Sequence, residues 1–154
     1  DRQAKQNGIW ENDIYEIGYK YQMNDISASL GLSSLKHLEE IIKIRKTLMK
    51  IYFDNINHKK IKILGNPYKN SDCPWLCTIL VEEDRYGLMK KLRENGIESA
   101  QVHYRNDRYS IFGERRTDLP QMDSLEEKYL VLPLHHKVKT SDCKRICELI
   151  NQGW

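Results

Sequence analysis

The repeat of apolar residues in the first third of the sequence limits the possible folds of this chain more than any other feature. Apolar side chains recur at mostly helical spacing, at Ile26, Leu30, Leu35, Leu38, Ile41, Ile42, Leu48, Ile51 and Tyr52. Charged residues such as Glu39 and Lys43 occupy the opposite face. This pattern predicts one amphipathic helix that begins at Asn24 or Asp25, either of which can accept a hydrogen bond from a free backbone N–H, and ends near Asn55.

A helix of that length would span about 45 Å. We expect a bend near Gly31, where the helix lacks a side chain. Helices this long usually connect two layers or two domains, so the pattern indicates a linking helix.

The sequence after residue 57 predicts a small sheet. A short strand is expected at Ile61 and Ile63, and three β-rich runs follow at residues 75–81, 97–104 and 129–132. Pro133 ends the last of these runs. Together with the helices expected between them, these strands predict an α+β fold, in which helices cover a small sheet.

Three further helices are expected around the sheet. The first is capped by Asp84, carries Leu88, Met89 and Leu92 on its apolar face, and stops at Asn95-Gly96. A short helix is expected at 124–128. The last is expected to be capped by Thr140 or Ser141 and to close at Gly153.

Composition narrows the class of protein. The 154 residues are 40% hydrophobic and 31% charged, which is typical of one globular domain. The net charge of +3 comes from interspersed acids and bases, which argues against nucleic acid as a partner. Without a signal peptide or an apolar run of about 18 residues, we expect a cytoplasmic protein without a membrane partner. The chain opens at Asp1 rather than Met, and we expect it to be part of a longer protein.

Cysteine and histidine pairs were considered as metal ligands. The cysteines lie four residues apart in two pairs, Cys73 with Cys77 and Cys143 with Cys147. Four-thiolate zinc sites usually use tighter spacing near turns, so we expect ordinary thiols and no metal. His135-His136 follows the strand predicted at 129–132, where a surface turn is favoured over a metal or substrate contact.

A polar, aromatic segment at residues 103–109 is the main candidate for ligand binding. His103, Tyr104, Arg105 and Asn106 follow a predicted strand and open a long loop, a common position for binding residues. These side chains can bind hydroxyls and a diphosphate. The alternative is a solvated loop with local ion pairs, such as Arg105 with Asp107.

Several motifs occur in the order found in one enzyme family. They are Gly18-Tyr19-Lys20-Tyr21-Gln22-Met23-Asn24-Asp25-Ile26, the run from Ala28 to Leu35, Gly96-Ile97, His103-Tyr104, Asp118-Leu119-Pro120 and Leu130-Val131-Leu132-Pro133-Leu134. Together they resemble the DegT/DnrJ/EryC1/StrS sugar aminotransferases over nearly the whole chain.

The resemblance implies the C-terminal small domain of a fold-type-I enzyme that uses pyridoxal 5'-phosphate (PLP) and acts as a homodimer. Residues 1–23 would form an arm that reaches the partner's active site, residues 24–56 the linking helix, and residues 57–154 the small domain. An amino group, usually from glutamate, would pass to a nucleotide-linked keto-sugar. The lysine that binds PLP would lie upstream of Asp1, so no catalytic residue is expected in this chain.

The resemblance also assigns site residues. Lys20 stands where the family commonly has Asn against the PLP phosphate, and an ammonium suits that contact. Tyr21 and Gln22 would lie near the substrate, although Gln22 replaces a common Arg and lacks its guanidinium fork. The segment from His103 to Asn106 would lie beside the sugar pocket.

Two alternatives remain open from the sequence. A sugar 3-dehydratase of the same superfamily has histidine in place of the PLP-binding lysine, which this chain cannot test. A non-catalytic binding or dimerisation module is the alternative of another class.

Overall fold

The computed structural model describes residue 21 and residues 23–69, 73–108 and 115–154, which fall in two compact units, residues 1–36 and 37–154. In the first unit, helix α1 spans Asp25–Leu35. The side-chain oxygen of Asn24 caps it by accepting a hydrogen bond from the backbone N–H of Ser27 at 2.8 Å. No residue of α1 is buried.

The second unit contains the remaining described elements. In chain order they are α2 (Leu38–Asn55), β1 (Ile61–Ile63), β2 (Cys77–Val81), α3 (Arg85–Glu94), a 3-10 turn (Asn106–Arg108), α4 (Pro120–Leu125), β3 (Tyr129–Leu132) and α5 (Thr140–Asn151). The α+β class expected from the sequence is therefore confirmed.

The predicted single helix is divided into α1 and α2. The predicted end at Asn55 is confirmed, but the helix is interrupted at Lys36 and His37, and no break occurs at Gly31 inside α1. Neither residue at the interruption is glycine or proline, and the helical spacing of apolar residues continues across it. The pattern therefore could not reveal the division.

The sheet is antiparallel, with strands in the order β1-β2-β3. Ile61 of β1 lies opposite Val81, and Cys77 of β2 lies opposite Leu132. The strand predicted at 97–104 is wrong, since this segment pairs with the sheet at one bridge, Ala100 with Val131. Arg105, the residue after this segment, is buried and pairs with Asp107 and Asp123 rather than with a neighbouring strand.

The hydrophobic core lies between the sheet and helices α2, α3 and α5. Its members are Leu48, Met49, Tyr52, Cys77, Ile79, Val81, Leu88, Leu92, Ile97, Leu130, Leu132, Leu134, Cys143, Ile146, Cys147 and Ile150. Burial of these side chains is the main stabilising contribution to the fold. The hydroxyl of Tyr52 satisfies its polar end by donating to the Pro133 carbonyl oxygen at 2.9 Å.

A hydrogen-bonded amide fastens the end of α2 to the end of α5. The Asn151 side chain donates from Nδ2 to the carbonyl oxygen of Asn55 at 2.8 Å. Its Oδ1 accepts from the backbone N–H of Asn57, also at 2.8 Å. One side chain thus satisfies a free carbonyl at the end of a helix and the next exposed N–H.

Among the three helices predicted after residue 57, the start agrees with the sequence in one case and differs in two. Asp84 caps α3 as predicted, accepting from the Gly87 backbone N–H at 3.0 Å. The short helix α4 begins at Pro120 rather than at residue 124, because proline is well suited to a first helical turn. Lys139, not Thr140 or Ser141, is the N-cap of α5. None of the helices in the described ranges is both long and apolar enough to span a membrane.

Candidate functional site

The candidate binding segment runs from Gln101 to the 3-10 turn and lies next to β3. His103, Tyr104 and Asn106 are exposed, whereas Arg105 between them is only 4% exposed. The structure therefore brings three of the four predicted residues to the surface of one short segment and turns the fourth inward.

Arg105 forms charge-assisted hydrogen bonds with two aspartates. Its Nε and Nη2 donate to Oδ1 and Oδ2 of Asp107 at 2.6 and 2.5 Å, and its Nη1 donates to Oδ1 of Asp123 at 2.5 Å. The two-pronged contact with Asp107 is the strongest geometry that arginine and a carboxylate adopt. Hydrogen bonds from Arg105 hold the pKa of Asp107 well below its usual range and raise the pKa of Arg105.

The hydrogen-bond and ion-pair network extends to residues 115 and 116. The backbone N–H of Arg116 donates to Oδ2 of Asp107 at 2.9 Å. Nη2 of Arg115 lies 3.0 Å from Asp123 and 2.8 Å from Glu126. The beginning and the end of the loop that spans residues 105–116 are therefore fixed to each other and to α4.

A second buried arginine, Arg85 at the start of α3, forms hydrogen bonds with residues next to the candidate segment. Its Nη1 donates to Oε1 of Gln101 at 3.0 Å and to the carbonyl oxygens of Glu126 and Tyr129 at 2.9 and 3.1 Å. Its Nη2 also donates to Oε2 of Glu127 at 3.3 Å. Two separate chain segments, at Gln101 and at residues 126–129, thus bind one guanidinium group.

A cavity of about 280 Å³ lies beside this segment, between the sheet and α4. Its lining residues are Leu64, Leu80, Gln101, His103, Arg105, Met122, Leu125, Glu126 and Tyr129. Trp75 stands next to it, with its ring centroid 5.8 Å from that of His103 and the two planes inclined by 50°. Most of the lining is apolar, and His103 is a member of both the cavity and the aromatic pair.

The other predicted contacts were placed as follows. Lys20 and Gln22 lie outside the described residues, while Tyr21 is described and 85% exposed. His135 and His136 are exposed on the turn after β3, with ring centroids 6.5 Å apart.

Sequence reasoning missed Trp75, Arg85, Gln101 and Glu126. Trp75 was assigned to a strand, and Arg85 was passed over as an ordinary helix residue beside the predicted cap. Only the fold shows that Arg85 approaches a segment more than 40 residues away. The position of Trp75 just before β2 was the one available signal.

The cysteines are thiols with distinct environments. Cys73 is exposed, and Cys77, Cys143 and Cys147 are buried. Burial raises the pKa of the Cys77 thiol, which keeps it protonated. Within the described ranges, no three His, Cys, Asp or Glu side chains come together in a way that could hold a metal ion.

Comparison with protein families gives a match over nearly the whole chain. The sequence profile of the DegT/DnrJ/EryC1/StrS aminotransferase family matches residues 1–151. Two curated relatives are similar to the chain. GDP-perosamine synthase from Escherichia coli O157:H7 is 29% identical over 143 residues, and UDP-4-amino-4,6-dideoxy-N-acetyl-beta-L-altrosamine transaminase from Campylobacter jejuni is 28% identical over 146 residues. Each match covers 88% of this chain and 38% of the relative.

Solved structures resemble the fold over a similar share. The sugar aminotransferase CalS13 from Micromonospora echinospora has a TM-score of 0.81 at 25% identity, covering 92% of this chain and 38% of that one. The PLP form of the putative sugar aminotransferase Spr1654 from Streptococcus pneumoniae has a TM-score of 0.77 at 27% identity, covering 94% and 39%. The fold corresponds to the C-terminal part of those aminotransferases.

Proposed function

Because the chain belongs to the DegT/DnrJ/EryC1/StrS aminotransferase family, we propose that it serves a PLP-dependent transfer of an amino group to the keto carbon of a nucleotide-linked sugar. The observation that carries this proposal is the match of the family profile to residues 1–151. The names of the two curated relatives, which contain GDP and UDP, support a nucleotide-linked sugar as the substrate class. The chain spans about 38% of those relatives, so the activity is that of a longer protein.

PLP, when bound, supplies an electron sink and needs a lysine for its Schiff base. On the family resemblance, we place the PLP-binding lysine elsewhere in the longer protein and propose Lys20 as a contact of the cofactor phosphate.

We assign substrate contacts to the exposed side chains of the candidate segment. His103, Tyr104 and Asn106 can exchange hydrogen bonds with sugar hydroxyls or phosphate oxygens. Arg105 is a positioning residue in this proposal, because its donors are engaged by Asp107 and Asp123. Tyr21 and Gln22 remain proposed substrate contacts on the arm formed by residues 1–23.

The remaining parts of the proposal rest on the family resemblance. They are glutamate as amino donor, biosynthesis of a polysaccharide or glycan as context, a homodimer as assembly, and the cytoplasm as location. The C. jejuni relative is named a transaminase, which favours amino transfer over the 3-dehydratase alternative.

The test uses the longer protein that contains this chain. With PLP, glutamate and a nucleotide-linked 4-keto sugar, it should form 2-oxoglutarate and the amino sugar, detected by mass spectrometry. Lys20→Ala should weaken PLP retention on dialysis, and the matched variant Lys62→Ala, on β1, should retain it. A keto-sugar that loses its C3 hydroxyl without gaining nitrogen would replace the proposal with the dehydratase.

A companion measurement uses the 154-residue chain alone. After incubation with PLP, borohydride reduction and digestion, we expect no lysine peptide with a stoichiometric cofactor adduct. A single lysine modified to completion would contradict the placement of the PLP-binding lysine outside this chain.

A further inference from the structure

We infer that the cavity beside Trp75 and His103 holds the nucleobase of the nucleotide-linked sugar. This inference rests on the proposed function and adds which part of the substrate this domain binds. Three features of the cavity support it: the polar groups of the wall, the aromatic pair at the side, and the volume.

Three polar residues of the cavity wall, Gln101, Arg105 and Glu126, are already bound within the protein. Oε1 of Gln101 accepts from Arg85, and its Nε2 donates to the Glu126 carbonyl oxygen at 3.4 Å. The guanidinium nitrogens of Arg105 donate to Asp107 and Asp123. The rest of the lining is mainly Leu, Met and Tyr side chains. A phosphate would lose its hydration there without gaining a free cation, so an uncharged group fits this cavity better.

The aromatic pair lies at the edge of the cavity, where His103 belongs to the lining and Trp75 stands beside His103. The Trp75 side chain is 59% exposed, although tryptophan is usually well covered in folded proteins. An indole face of this kind stacks with any nucleobase, because every base has a π face. His103 makes no hydrogen bond to another residue in the described ranges, so its ring nitrogens can bond to the edge of a base.

The size of the cavity agrees with one ring system. Its volume is about 280 Å³. Water that occupies this volume can be displaced by a nucleobase. Displacing water from an apolar wall favours binding.

The test measures binding of UDP and GDP to the 154-residue chain by calorimetry, with inorganic pyrophosphate as the probe that lacks a base. We expect both nucleotides to bind more tightly than pyrophosphate. Trp75→Ala should weaken nucleotide binding about tenfold, because base stacking on an aromatic ring contributes on that order. Met122→Trp, which fills the cavity from its side wall, should weaken binding by at least as much.

Tyr68→Ala is the matched control, since Tyr68 is another exposed aromatic residue, 57% accessible, whose ring packs against Phe53 rather than against the cavity residue His103. Its nucleotide affinity should equal that of the unmodified chain. The inference is overturned if neither nucleotide binds, if pyrophosphate binds as tightly as UDP and GDP, or if Trp75→Ala and Met122→Trp leave affinity unchanged. Amino transfer by the longer protein is measured separately, so any of these results can occur while the proposed function stands.

Discussion

Arg85 and Arg105 meet at the same residue, Glu126. Nη1 of Arg85 donates to its carbonyl oxygen at 2.9 Å, and Nη1 of Arg105 lies 3.7 Å from its carboxylate Oε2. Both guanidinium groups are buried, so neither can exchange these contacts for water without moving the chain. The turn between α4 and β3, which borders the cavity, is therefore held from two sides.

Replacement of Arg85 should destabilise the domain. Arg85→Met keeps a long apolar stem but leaves the carbonyl oxygens of Glu126 and Tyr129 without their donor. We expect the free energy of unfolding in urea to fall by about 2–4 kcal/mol. Arg93→Met, an exposed position of the same helix, should change it by less than about 0.5 kcal/mol. Equal effects of the two substitutions would show that the Arg85 contacts contribute little.

Arg105→Lys should loosen the loop while keeping the positive charge. A lysine cannot make the two-pronged contact with Asp107, so the carboxylate that accepts from the Arg116 backbone N–H becomes less fixed. Hydrogen exchange of that N–H, followed by NMR, should become several-fold faster. Arg116→Lys changes a side chain that pairs with the exposed Asp118 and should leave the exchange rate close to its original value. An unaltered rate in Arg105→Lys would contradict the positioning role.

The free energy of unfolding should depend on pH through the carboxylate of Asp107. Its pKa lies below the ordinary value of 3.8 in the folded protein because Arg105 and the Arg116 N–H hydrogen-bond to the carboxylate. A lowered folded pKa stabilises the native state above the unfolded pKa, and this contribution disappears as the pH falls through the folded value. Stability should therefore decline below about pH 5. Asp107→Asn should be less stable at pH 7 and lose less stability between pH 5 and pH 3, measured by urea unfolding at each pH. Parallel curves for both proteins would refute this.

Gly87→Ala should be destabilising, although alanine normally favours a helix. A Cβ at residue 87 would lie 2.1 Å from Oδ2 of Asp84 and 2.9 Å from the Trp154 ring. Relief of that overlap disturbs the N-cap of α3 and the indole, whose Nε1 donates to the Asp84 carbonyl oxygen at 2.7 Å. We expect a loss of about 1–3 kcal/mol in thermal or urea unfolding. Gly31→Ala, where nothing lies within 4 Å, should be neutral or stabilising.

The thiols should divide into one reactive and three protected groups. Cys73 is exposed, whereas Cys77, Cys143 and Cys147 are buried. An aromatic disulfide reagent should therefore modify one thiol rapidly in the native chain and all four in denaturant. Cys73→Ser should abolish the rapid phase. Rapid modification of a second thiol would contradict the burial of the other three.

The sequence predicted elements that depend on neighbouring residues. The Asp84 cap and the strand that ends before Pro133 follow from side chains within a few residues, and both are confirmed. The start of α4 at Pro120 also follows from a local preference, that of proline for the first helical turn, although a start at residue 124 was predicted. The strand expected at 97–104 is reduced to one bridge, Ala100 with Val131, and the next residue, Arg105, pairs with Asp123, which lies 18 residues away.

The candidate site was predictable only in part, because some of its contacts join residues that are far apart in the sequence. His103, Tyr104 and Asn106 were recognised as a polar segment after an apolar one, and the structure leaves them exposed. The local alternative, an Arg105 ion pair with Asp107, was also foreseen and is present. The cavity is lined by residues from Leu64 to Tyr129, and Trp75 approaches its lining residue His103 across 28 positions of sequence, so no short-range pattern contains these contacts.

The amide bridge of Asn151 has a consequence for how the domain is made. Asn151 and Asn55 are 96 positions apart, and α5 supplies Cys143, Ile146, Cys147 and Ile150 to the core. At a synthesis rate of about 5–20 residues per second, about 5–20 s would pass between the synthesis of α2 and that of α5, which covers its apolar face. A growing chain thus displays that face without α5 while the residues between the two helices are made, and a chaperone that binds exposed helices would find its target there.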